Sequence, residues 1–280
     1  MRSKRIFQPL FLITLMVVVI TSMAFMPKKS IQLKYAFSQG AKYKLEIKTT
    51  QNISMNMAGQ NMVLKQNVIL NQTAEILTIS EEGNIEFEIA YDRIRFDQSA
   101  MGMEMSWDSD DPEASKDNMM AQQVAGQFQK AMENKVSSTI DKYGNPVENN
   151  SAEVMGSSSV SGFEMGMLVV FPDHEVSVGE SWEVSTKPDP NSDFTVNSTY
   201  TLTDVKGSKA FISYDGAISG TEMNGSAAKL SGTITGKAEV NTKTGWLESS
   251  TTMQKLDMEM EQQGQTIPMS LSSVIELKSE

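Results

Sequence analysis

Methionine recurs at every second position in four places along this chain. Met55 and Met57 lie in "SMNM", Met101, Met103 and Met105 in "AMGMEMSW", Met165 and Met167 in "EMGM", and Met258 and Met260 in "DMEM". In a strand, residues i and i+2 share a face, so each pair would point two thioethers the same way. Soft thioether sulfur suits Cu(I), above all in an oxidising compartment where a thiol is unsafe. Such a site needs several converging ligands. The chain holds 21 Met but one His and no Cys, and His174 is remote in sequence from Met101, Met103 and Met105. Trp107 is read as standing on the opposite pleat from Met105, where it could not cap the ion. The same methionines would serve equally as an apolar lining, since Met is flexible and packs against varied partners. Met101, Met103 and Met105 are expected to face the interior, against a helix face of Met120, Val124 and Phe128 or above a cavity beneath it. Met55, Met57, Met101, Met103, Met105, Met258 and Met260 are the candidate ligand-lining residues.

Other chemistries leave fainter traces. His174 sits in "FPDHEVSVG" between Asp173 and Glu175. Neighbouring strand residues point apart, so this is read as a surface loop histidine rather than a catalytic one. A lone His excludes any two-histidine metal motif. "DPNSD" (Asp189, Asn191, Asp193) opens like a calcium loop, but Phe194 stands where such a loop needs Gly. The acidic "DSDDPE" (108–113) suits a helix N-terminus, whose dipole favours carboxylates. No nucleophile elbow, P-loop or dinucleotide fingerprint occurs. No catalytic or metal-ligating residue is assigned, and no cofactor is expected. Paired carboxylates for hydrolysis depend on spatial approach and stay open as an alternative.

Net charge over the 280 residues is −11, which argues against nucleic acid and against an anionic membrane surface as partners. "MRSKR" followed by the apolar "PLFLITLMVVVI" and the small residues of "SMA" reads as a signal peptide cleaved after Ala24. Its removal, with Arg2, Lys4 and Arg5, takes the net charge from −11 to −14. The expected product is exported, periplasmic or secreted, with no later segment long and apolar enough for a stable membrane span. A retained N-terminal anchor is the alternative.

The elements that must position these side chains read mainly as strands. "YKLEIKTTQNISMNM" (43–57), "NMVLKQNVILNQTAEILTIS" (61–80) and "IEFEIAYDRIRFDQ" (85–98) alternate apolar with polar residues, and "AMGMEMSW" continues as another strand. Pro112 and the spacing of Met120, Val124, Phe128 and Ala131 or Met132 predict an amphipathic helix over about 113–133. "VSSTIDKYGNPVEN" (136–149) is a strand, a Gly-Asn-Pro turn and a strand start. The Ser- and Gly-rich 151–171 is ambiguous, and alternation resumes from 181 to 280. The fold class is mainly β (α+β), with two curved antiparallel meanders and one helix. The domains are 1–24 signal peptide, 25–150 first meander plus helix and 151–280 second meander, the last two able to form one continuous domain. "GAKYKLEI" (40–47) aligns with "GESWEVS" (179–185), "NQTAEILTISEEGNIEFEIAYDRI" with "NSTYTLTDVKGSKAFISYDGAI", and "STIDKYGNPVEN" with "AEVNTKTGWLES". This is read as an old duplication with unequal insertions, or as two meanders alike because alternation is common.

The signal peptide, "GAKYKLEI", the Met-bearing strands, "STIDKYGNPVE" and "FPDHEVSVGESWEV" together resemble a family of secreted bacterial proteins, domain of unknown function 6263 (DUF6263), over nearly the whole mature chain. The resemblance implies an exported β-rich protein and carries no activity or site residues with it. The function expected is non-enzymatic: binding a lipophilic ligand or an envelope protein through a Met-rich apolar face. The alternatives are a carboxylate-based hydrolase and a Cu(I)-binding protein.

Overall fold

Period-two patterning becomes long strands in the computed structural model, which describes residues 30–57, 60–116, 118–149, 168–187, 193–223, 226–262 and 265–280. The expected signal segment, Met165, Met167, most of the ambiguous 151–171 stretch, Asp189 and Asn191 lie outside the described residues. The first half contributes β1 (Ser30–Ile31), β2 (Lys42–Met57), β3 (Gln60–Ile79), β4 (Ile85–Ala100), β5 (Met103–Asp108), the helix α1 (Met119–Glu133), β6 (Val136–Ile140) and β7 (Pro146–Asn149). The second contributes β8 (Val176–Ser177), β9 (Ser181–Thr186), β10 (Thr195–Lys206), β11 (Lys209–Met223), β12 (Ser226–Asn241), β13 (Leu247–Gln262) and β14 (Gln265–Ser279). Twelve strands make one antiparallel sheet in the order β7, β6, β4, β3, β2, β14, β13, β12, β11, β10, β9, with β5 also on β4. The last strand pairs with the first long one, Met269 to Ser279 running against Met55 to Leu45, so both meanders share one sheet. The mainly-β architecture is as expected, with a single α-helix among the described residues.

One face of the sheet is apolar. Leu45 and Ile47 of β2, Val68, Leu70 and Ile76 of β3, and Ile275 and Leu277 of β14 are buried on it, while Lys44, Lys48 and Lys278 alternate onto the outer face. Two non-sheet segments enter the same core: Leu33 and Tyr35, and Val169 and Phe171. The hairpin turns hold them. Tyr35 N donates to Lys142 O (2.8 Å), Ala36 N to Thr244 O (3.0 Å) and Phe171 N to Tyr143 O (2.8 Å). Rings fill the space between, with Tyr43 stacked on Trp246 at 4.3 Å and Tyr35 against Phe171 at 5.0 Å.

The stretches aligned in sequence repeat the same hydrogen bonds. Asp141 Oδ1 accepts from Tyr143 N at 2.8 Å, and Asn241 Oδ1 from Lys243 N at 3.0 Å. Gly144 N donates to Asp141 O and Gly245 N to Asn241 O (3.0 and 2.8 Å). At the opposite ends, Gly40 N reaches Ile76 O and Gly179 N reaches Leu202 O (2.8 and 2.7 Å).

Two glycines of β12 leave room for side chains of the neighbouring strands. A Cβ on Gly236 would fall 2.4 Å from Tyr214 Cζ, and one on Gly232 would fall 2.6 Å from Leu256 Cδ2. Those two side chains therefore lie across bare backbone on the apolar face.

Two expected elements are corrected. The helix does not begin at 113: Pro112–Ser115 forms a separate 3₁₀ turn, and α1 starts at Met119. Asn118 is the cap, its Oδ1 accepting from Met120 N and Ala121 N at 3.1 Å each, which satisfies amides left orphaned at a helix start. The buried face of α1 is Ala121, Ala125 and Phe128, with Val124 partly buried, while Met120 is exposed. "AMGMEMSW" is not a continuous strand. Met101 (φ 51°) and Gly102 (φ 80°) form the tight turn between β4 and β5, two consecutive positive φ values that suit a two-residue hairpin.

Gln72 is fully buried between Leu45 and Tyr91, and its side-chain oxygen and nitrogen have no hydrogen-bond partner. A buried amide without partners costs stability. Gln72→Leu, similar in volume, is expected to stabilise the fold by about 1–3 kcal/mol. Chemical denaturation checks this, and a destabilised variant would contradict it.

Candidate functional site

Register across the sheet assembles rows of side chains on the apolar face. Met258 of β13 pairs with Met269 of β14, Met269 with Met55 of β2, and Met55 with Met62 of β3. Directly paired residues point to the same side, so four methionines form an unbroken row over four adjacent strands. The next row inward is Leu256, Leu271, Ile53 and Leu64. Of these eight side chains Met258 is buried and the other seven are half-buried. Beyond Met258 the surface continues through Leu230, Ile218 and Val196, a second hydrophobic cluster separate from the main core.

One row further inward the chemistry changes. Gln254, Ser273, Gln51, Gln66 and Gln98 pair in succession across β13, β14, β2, β3 and β4. Gln66 Nε2 donates to Gln98 Oε1 at 2.9 Å and Ser273 Oγ to Gln254 Oε1 at 3.3 Å. Gln51, half-buried between these two pairs, makes no side-chain hydrogen bond to another described residue. Inside this belt lies the packed core of Thr49, Val68, Phe96 and Trp107.

The candidate methionines divide. Met55 and Met258 lie in the row. Met57 and Met260 continue β2 and β13 beyond it, with Met260 paired to Ile267, and their side chains lie outside the described ones. Met105 is buried at 7% exposure, whereas Met101 and Met103 are 73% and 60% exposed, contrary to the expectation that all three face the interior. The hairpin turn is the reason: it puts Met101 at its tip and leaves Met103 at the open start of β5. The placing of Trp107 is also corrected. It is two residues from Met105 and therefore on the same pleat, buried and stacked on Phe128 of α1 at 5.5 Å. Met62 and Met269 belong to no M-x-M pair, so spacing along the sequence gave no sign of them.

The charged groups are elsewhere. His174 is exposed in a loop with Nδ1 3.2 Å from Asp173 Oδ1. No Asp or Glu is buried among the described residues, so the paired buried carboxylates a hydrolase would need are not found there. The acidic run after β5 is explained by Arg93, which bonds Asp108 at 2.6 Å and Asp110 at 3.2 Å. The Arg93 hydrogen bond holds the Asp108 carboxyl below its ordinary range. Its stabilising effect is present above the unfolded carboxylate value and is lost as pH falls through the lower folded one. The difference in denaturation midpoint between the parent and Arg93→Met is therefore expected to shrink under acid, and a pH series of melts checks this.

Two open hollows have volumes of about 560 and 390 Å³. The larger is lined by Lys42, Glu75, Glu88 and Lys135, charges already joined as Lys42–Glu75 and Lys135–Glu88 pairs. The smaller is lined mainly by polar outer-face residues such as Asn61, Ser231 and Asp257, together with Met55, Met258 and Met269 of the methionine row. Neither offers apolar walls with a few converging polar groups, so the apolar rows are the stronger candidate.

A model described as "Family of unknown function (DUF6263)" matches residues 152–247. Over that stretch the chain is similar to DUF6263. The stretch takes in the 168–171 segment, β8 through β12 and the Asn241 turn, about a third of the chain. "FPDHEVSVGESWEV" falls inside it, but "GAKYKLEI" and "STIDKYGNPVE" do not, so the match is narrower than the resemblance over nearly the whole mature chain. No curated protein matches the chain. A solved structure, "Lipid-protein interactions in lipovitellin", shares the fold with a TM-score of 0.55 at 8% identity, covering 88% of this chain. This chain spans 25% of that lipovitellin chain.

Proposed function

We propose that the half-buried apolar face at the strand ends binds a lipophilic ligand in an exported compartment. The observation that carries this reading is the paired rows of Leu256, Leu271, Ile53, Leu64 and Met258, Met269, Met55, Met62. They form a continuous apolar surface built by both meanders and left partly open. Contiguous exposed apolar surface on a protein commonly marks a binding site, and methionine adapts to guests of varied shape. The fold shared with a lipovitellin studied for its lipid–protein interactions supports the same reading. The signal-peptide pattern at the N-terminus supports export.

The methionine row also favours a second reading, Cu(I). Against it, the row runs across strands spaced about 4.8 Å apart, whereas copper ligands must converge on one point. Purified protein titrated with a fluorophore that brightens in apolar surroundings should show saturable binding, and Cu(I) should not compete for it. Tight Cu(I) binding lost on joint Met→Leu substitution of the row, with no fluorophore binding, would replace the first reading by the second.

A further inference from the structure

We infer that the row of Gln98, Gln66, Gln51, Ser273 and Gln254 takes the uncharged, hydrogen-bonding head of a single-chain amphipathic lipid whose hydrocarbon lies on the leucine and methionine rows. This rests on the lipophilic reading above and adds the class of ligand.

Position and chemistry both lead here. The belt and the apolar rows are on the same face of the same strands, as Gln51, Ile53 and Met55 show along β2. From Gln51 to Met55 the strand advances about 13 Å, a graded surface from polar to apolar. Inward of the belt the core is closed by Thr49, Val68, Phe96 and Trp107, so a ligand entering from the strand ends would halt with its head at the belt. A primary amide offers two donors and an acceptor with two lone pairs. The two hydrogen-bonded pairs, Gln66 with Gln98 and Ser273 with Gln254, use only part of that capacity. Gln51 sits between them with its amide uncommitted. Polar groups on a half-buried apolar face are costly unless paired, and a ligand hydroxyl or ester would pair them.

The belt is also neutral. The basic residues of these strands nearest the belt, Lys48, Lys65, Arg95 and Lys255, occupy the alternate positions that face outward. A carboxylate or phosphate head would enter this face with no cation to meet it, at a desolvation cost. A glycerol ester meets amides and a hydroxyl of matching kind. The surface therefore distinguishes a monoacylglycerol from a fatty-acid anion of the same chain length.

The test is displacement of a bound apolar fluorophore from the full chain by monooleoylglycerol or by oleate, each kept below its aggregation threshold. The monoacylglycerol is expected to displace at a concentration at least about tenfold lower, a difference of about one decade in affinity. Gln51→Leu with Gln98→Leu should remove that preference while the fluorophore still binds, and circular dichroism confirms that the variant is folded. Equal displacement by both lipids, or a preference that survives in the double variant, overturns the belt inference and leaves the lipophilic face standing. Failure of the fluorophore to bind the parent protein overturns both.

Discussion

Gly245→Ala should destabilise the protein by about 3 kcal/mol, combining the cost of a left-handed backbone for an L side chain with that of overpacking. Gly245 has φ +73°, and an added Cβ would lie 2.5 Å from Lys34 O and 2.8 Å from Lys34 C. Both are backbone atoms of the segment that carries Tyr35 into the core, so the strain cannot be relieved by turning a side chain. Gly144, at the equivalent turn of the first meander, meets Tyr35 Cε2 at 2.8 Å and Val169 O at 2.9 Å, and Gly144→Ala should cost a similar amount. Gly40 is the control. Its φ is +79° with nothing within 4 Å, so Gly40→Ala should lose only about 1–2 kcal/mol from backbone strain. Denaturant unfolding of the three variants separates the two costs. Equal losses at Gly40 and Gly245 would mean that the turns do not clamp the core segments as described.

Met269→Glu should weaken binding of an apolar probe at least about tenfold, or about 1.4 kcal/mol, while the strands remain. Met269 stands in the middle of the methionine row, paired with Met258 on one side and Met55 on the other. A carboxylate there would need to be desolvated whenever a ligand covered it. Ser270 is its immediate neighbour on the outer face, so Ser270→Glu adds the same charge one pleat away and should leave binding unchanged. Equal loss in both variants would point to general electrostatics rather than to the apolar face.

Much of the fold was legible because alternation is a local property. The strands 43–57, 61–80 and 85–98 follow from period two, and the turns at Gly83, Gly144, Gly207 and Gly245 hold the positive φ that glycine permits. The site was legible only in part. Met55 and Met258 stood out through their M-x-M spacing, yet their partners Met62 and Met269 belong to no such pair. The row is created by register, in particular by β14 docking on β2 from the far end of the chain, which no local pattern specifies. The same register assembles the glutamine belt from residues of five strands. Met101 and Met103 were misplaced for a different reason: "MGMEM" satisfies a period of two whether or not the chain reverses at Met101–Gly102, and only the backbone conformation decides. Asn118 was overlooked as the helix start because Pro112 is itself a strong start signal, which the chain spends on a short 3₁₀ turn.

The most direct test is to locate the ligand on the sheet. A monoacylglycerol carrying a photoreactive group near the end of its chain would be bound to the full-length protein, irradiated, and the labelled peptides sequenced by mass spectrometry. Labelling concentrated on Ile53–Leu64 and Leu256–Leu271, and competed away by unlabelled lipid, is the predicted result. Labelling that is not competed, or that falls on outer-face positions such as Lys65 and Ser231 or on the exposed side of α1, would contradict the assignment of the apolar rows as the binding surface.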